Sequence, residues 1–130
     1  MSSNAARAVV AGHGDLADGL ISAVALITGR ADALVPLTNR GLGAEQIEER
    51  LRKALEKGIH VIFTDLPAGS WTIAARRVMR DRHDIVLVTG VNLATLLDFV
   101  LRDDDAEEAA RHAVEKGRAA MIVSGASRGD

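Results

Sequence analysis

Short apolar runs alternate along this chain with longer segments in which apolar residues recur every three or four positions. Continuous apolar runs suit strands buried on both faces, and the longer period suits amphipathic helices. Ala8–Gly12 reads as the first strand. The helix after it, residues 15–28, places Leu16, Leu20, Val24 and Ile27 on one face and stops at Gly29. Residues 33–37 form a second strand, where Pro36, having no N–H, fits an edge better than a centre. A loop over 39–43 leads to a helix over 44–57 with Ile47, Leu51, Ala54 and Leu55 inward, closed by Gly58. The third strand is 59–64, its loop 65–69, its helix 70–80. The fourth strand is 85–88, followed by a loop over 89–92 and the helix Leu93–Leu101. Asp103-Asp104-Asp105 then precedes a last helix over 106–116, whose N-terminus negative charge favours. Residues 119–124 are a final apolar run that fits a strand, and 125–130 read as a tail.

Strands joined by helices of this length pair in parallel through right-handed crossovers and carry helices on both faces. The expected fold is therefore α/β: one domain over residues 1–130, a three-layer, mostly parallel, doubly wound sheet in the flavodoxin-like order 2-1-3-4. Such a sheet holds its ligand crevice outside the carboxyl ends of strands one and three, where the winding reverses. His13, bracketed by Gly12 and Gly14, follows strand one, and Asp65 follows strand three. Topology brings the two together.

A carboxylate that accepts from Nδ1–H leaves Nε2 with a free lone pair, basic and nucleophilic. Ser70, at the start of the third helix, adds a hydroxyl and free backbone N–H groups, and Gly69 admits a ligand close to the backbone. That combination binds a tetrahedral dianion. Together these groups suggest phosphoryl transfer through a phosphohistidine. A histidine after a strand also serves in many folds only to hydrogen-bond a loop, and the flanking glycines suit any tight turn. The residues alone leave both readings open.

Composition narrows the partners. A net charge of −2 gives no support for a nucleic acid or an anionic membrane surface, and 2% aromatic residues leave little for base stacking. Without cysteine there is no disulfide, zinc thiolate or thiol nucleophile. No apolar stretch reaches a membrane-spanning length and no signal-peptide core is seen, so the chain reads as cytoplasmic, without membrane insertion. His60, inside strand three, reads as a satisfied structural residue; His83 falls in a surface turn and His112 on a solvated helix face. No metal site is expected. Asp15 reads as a helix N-terminal carboxylate near His13. Asn92 either tolerates an unusual turn or borders the site.

The ordered set Gly12-His13-Gly14, Thr64-Asp65-Leu66 with Ala68-Gly69-Ser70, and Thr89-Gly90-Val91-Asn92-Leu93 resembles one family. So do Arg102-Asp103-Asp104-Asp105 and Ala113-Val114-Glu115-Lys116-Gly117-Arg118. It is the IIA component of the mannose-type (mannose/fructose/sorbose) family of the bacterial phosphoenolpyruvate-dependent sugar phosphotransferase system. The resemblance implies a phosphotransferase component, working without a cofactor, in which His13 accepts phosphate on Nε2 from the phosphocarrier HPr and passes it to a IIB domain during sugar uptake. Asp65 would orient the imidazole, and Ser70 with the backbone at Gly69 would hold the phosphoryl oxygens. Family members are typically homodimers whose C-terminal strand joins the partner's sheet, a job for residues 119–124. Two departures stand out. The family commonly has Gly-Gly-Ser-Pro where this chain has Ala68-Gly69-Ser70-Trp71, which puts Trp71 beside the expected phosphate site as part of a docking surface. The family's Gly-Val-Asn is often followed by an apolar residue and Pro, whereas here Leu93 is followed by Ala94. Two other roles share the phosphohistidine: a regulatory module, and the phosphotransfer subunit of a dihydroxyacetone kinase, whose histidine is usually followed by serine rather than glycine.

Overall fold

The computed structural model, which describes residues 5–126, turns the apolar runs into four strands: β1 Ala8–Gly12, β2 Leu34–Thr38, β3 Val61–Thr64 and β4 Val86–Val88. All are parallel, in the order β2-β1-β3-β4. Pro36 lies on the edge strand β2, opposite Val10, where its missing N–H costs no ladder bond on the open side. The helices are α1 Leu16–Thr28, α2 Ala44–Leu55, α3 Ser70–Val78, α4 Leu93–Leu101 and α5 Ala106–Ala119, with a 3₁₀ turn at Ala31–Ala33.

Alternation along β1 sets the layers. Ala8 and Val10 point into a cluster with Val24 of α1, Leu96 and Phe99 of α4 and Ala110 of α5. Val9 and Ala11 point the other way, onto Leu51 of α2 and Trp71 and Ala75 of α3. Every residue of β1 is buried, as a central strand between two helical layers requires. Phe63 of β3 meets Phe99 edge-on, ring centroids 5.1 Å apart.

The tightest helix contact is α4 on α5. Asn92 caps α4 by accepting from Thr95 N (3.0 Å) and donates to the Gly117 carbonyl of α5 (3.0 Å). A Cβ at 117 would fall 1.9 Å from Thr95 Oγ1, so only glycine lets the helices approach this far.

One expectation needs correction. The buried stripe of α1 is Ala17 and Val24 with Leu20 and Ile21 beside them, while Leu16 and Ile27 are exposed. Both stripes satisfy the helical period; how the preceding turn aims the helix decides between them, and periodicity does not encode that. Residues 119–124 form no strand in the single chain. α5 runs through Ala119, and Met121, Ile122 and Val123 are exposed by 83%, 75% and 96%. A strand needs a ladder partner, and this segment meets none within its own sheet.

Candidate functional site

The register of β1 against β3 pairs Ala11 with Thr64, so the turns that follow both strands emerge side by side at the carboxyl end of the sheet. Asp65 Oδ2 there accepts two hydrogen bonds from one residue: from His13 N at 2.9 Å and from His13 Nδ1 at 2.7 Å. The first locates the backbone and the second fixes the ring. Because the carboxylate accepts, Nδ1 carries the proton, and in the neutral ring Nε2 is the free base. The Asp65 side chain is 8% exposed and that of His13 46%, which places a sheltered carboxylate behind a presented imidazole. Burial pushes the Asp65 carboxyl up. The hydrogen bonds from His13 Nδ1 and N, together with attraction to the imidazole's charge, outweigh burial and hold it below its ordinary value.

On the other side of the ring, Ser70 Oγ stands 3.4 Å from His13 Nε2. Ser70 is the first residue of α3, and its N-cap, Gly69, brings no side-chain cap. The first N–H groups of α3 therefore lack an intrahelical partner and face the site with the positive end of the helix dipole. A Cβ at Gly69 would lie 3.1 Å from His13 Cε1, so glycine here is a condition of the close approach. Gly14 has φ 58°, a left-handed conformation that sends the chain from the histidine into α1.

Sequence reasoning missed a third wall. Thr38 Oγ1 donates to the Gly14 carbonyl at 2.8 Å, Gly14 N donates to Asn39 Oδ1 at 3.4 Å, and Arg40 Nη2 reaches Asp15 Oδ1 at 3.0 Å. The β2–α2 loop is thus tied onto the histidine turn, and Asp15 pairs with Arg40 instead of capping α1. Leu66 and Ile73 are about half-exposed apolar residues, one beside Asp65 and the other one helical turn beyond Ser70. No residue pattern announced these contacts, since each joins separate loops.

Four other expectations change. Trp71 offers no docking surface: it is fully buried, on the α3 face that also carries Ala74, Ala75 and Val78. Those spacings of three, four and seven were visible as helical periodicity. Asn92 is spent on capping α4 and binding Gly117, with β3 between its own strand and β1. Among the other histidines, His60 precedes β3 instead of lying in it, and its Nδ1 contacts Asp84 Oδ2 at 2.7 Å. His112 is not merely solvated, since its Nδ1 lies 2.8 Å from Asp98 Oδ2. His83 sits in an exposed turn as expected, 3.2 Å from the Arg80 carbonyl. Among the described residues no three His, Asp or Glu side chains are placed to share a metal ion, and no helix is long and apolar enough to cross a membrane.

The family model EIIA-man, described as the PTS system fructose IIA component, matches residues 7–116. The chain belongs to this family of sugar phosphotransferase-system IIA components. Its fold is similar to that of phosphotransferase system component EIIA from Streptococcus agalactiae, with a TM-score of 0.80 and 20% identity over 90% of this chain and 95% of that one. The mannose/sorbose specific IIA subunit from Enterococcus faecalis gives a TM-score of 0.79 and 19% identity over 96% and 98% of the two chains. The PTS IIA protein associated with the fucose utilization operon of Streptococcus pneumoniae gives 0.76 and 20% over 95% and 96%. No curated protein matches the chain by sequence.

Proposed function

We propose that the chain is a phosphoryl carrier, taking a phosphoryl group from phospho-HPr onto His13 Nε2 and surrendering it to a IIB domain during sugar uptake. The observation that carries this reading is the 2.7 Å contact between His13 Nδ1 and Asp65, which leaves Nε2 turned toward Ser70 and the open start of α3. In the forward step the Nε2 lone pair attacks phosphorus, the donor's bond to phosphorus breaks, and the ring becomes cationic. Asp65, already ionised and held at Nδ1, stabilises that charge. Ser70 Oγ and the N–H groups of α3 receive the phosphoryl oxygens. Transfer to the IIB acceptor reverses each step. The phosphohistidine N–P bond already has a high transfer potential, so the scheme calls for no nucleotide.

The proposal includes a homodimer. The exposed Met121–Val123 segment and the open edge of β4 are what strand exchange between two copies would use. A chain ending at residue 119 should then sediment as a monomer.

The test is to incubate the protein with phosphoenolpyruvate, enzyme I and HPr and measure intact mass. The wild type should gain one acid-labile phosphoryl group and His13→Ala none; label persisting in His13→Ala overturns the proposal.

A further inference from the structure

Two buried hydroxyls lie directly beneath the loop that carries Asp65. Thr64, the last residue of β3, is 0% exposed and Thr72, the third residue of α3, is 1% exposed. Their Oγ1 atoms are 2.6 Å apart, and Thr72 Oγ1 is 2.5 Å from the Leu66 carbonyl oxygen. Donor counting orders the chain. A carbonyl oxygen only accepts, so Thr72 spends its one proton on Leu66, and Thr64 must donate to Thr72.

We propose that Thr72 is a positioning residue for the His13–Asp65 pair, acting through the Leu66 carbonyl. Leu66 follows Asp65 directly, and Pro67 after it has no N–H with which to tie the loop. The Thr72 hydroxyl locks the peptide next to Asp65 onto the first turn of α3, two residues from Ser70. At the strand end of the loop, Val91 N donates to the Thr64 carbonyl at 3.0 Å. One hydroxyl therefore couples the loop bearing the carboxylate at Nδ1 to the helix bearing the hydroxyl at Nε2, and the imidazole is gripped between them. Packing gives little reason for this polar pair. A valine pair would fill the same space but leave the Leu66 carbonyl without its donor, so what the hydroxyls add beyond shape is that tie.

The transfer half of the test rests on His13 being the phosphoryl acceptor; the spectroscopic half does not. Thr72→Val removes the tie to Leu66. Thr72→Ser retains it, and Thr64→Val removes only the upstream donor while leaving that tie in place. Thr72→Val should lower kcat for transfer from phospho-HPr by about ten- to a hundredfold with KM for HPr unchanged, the cost of a misplaced reacting group. Its His13 ring nitrogens, read by ¹⁵N NMR, should pass from a single Nδ1–H tautomer to a mixture. Thr72→Ser and Thr64→Val should keep wild-type rates and the single tautomer. Thermal unfolding of each variant verifies folding, and Thr72→Ala repeats the measurement if valine disturbs the packing. The proposal is overturned if Thr72→Val and Thr72→Ala keep the tautomer, or if Thr64→Val loses it equally. A wild type that takes no phosphoryl group defeats the carrier reading instead, and the ring signals still decide the role of Thr72.

Discussion

The protein contains two histidine–aspartate pairs with the same 2.7 Å contact at opposite ends of one sheet: His13–Asp65 beyond the carboxyl ends and His60–Asp84 before the amino ends. The imidazoles are presented alike, at 46% and 52% exposure. Their surroundings differ. Asp65 is sheltered and gives one oxygen to both the ring and the backbone of His13. Asp84 is half-exposed and is shared with Arg82 through two contacts of 2.9 Å, which hold its carboxyl well below the usual range. Ser70 and an uncapped helix start face His13 Nε2, while among the described residues no side chain hydrogen-bonds His60 Nε2. A third pair, His112–Asp98, ties α5 to α4. An oriented imidazole is thus common in this chain. What separates His13 from the others is the Ser70 hydroxyl and the uncapped start of α3 beside its Nε2, which come from the carboxyl end of a parallel sheet, where helices begin, and which the proposed function uses to hold an anion.

The largest effect that would break the parallel is on transfer rate. Asp65→Asn should slow phosphoryl transfer by roughly a hundredfold or more, the scale of a lost acid–base partner, while Asp84→Asn leaves the rate unchanged. Equal losses in rapid-mixing transfer assays would mean that both pairs share one function. A smaller effect concerns acid. A carboxyl held below its ordinary value of about 3.9 contributes stability above that pH and loses it as pH falls through its folded value. Asp65→Asn should therefore unfold at a lower temperature than wild type at pH 7, and the gap should close as pH drops below about 4. A gap that widens in acid would show that the native carboxyl is raised instead.

Much of this arrangement is legible in the sequence. β1 and α4 lie where composition and period placed them, Pro36 marked its edge, and the strand order put Asp65 beside His13, 52 positions away in the chain. The illegible parts share a cause: they depend on what a residue meets across space. Arg40 reaches the histidine turn only because the β2–α2 loop folds back onto Gly14. His60 and His112 found carboxylates 24 and 14 residues away, beyond any local pattern. The Thr64–Thr72 pair exists because the end of a strand meets the first turn of its own crossover helix. Trp71 is different, since residues 71, 74, 75 and 78 share one face at the helical period, and its burial follows from that local pattern.

The most direct measurement maps where the phosphoryl group sits. After labelling with phosphoenolpyruvate, enzyme I and HPr, peptide mass mapping under alkaline conditions should find all of the label on His13, on Nε2 by ³¹P NMR, and none on His60 or His112. Label on His60, or on His13 Nδ1 where Asp65 is bound, would contradict the account.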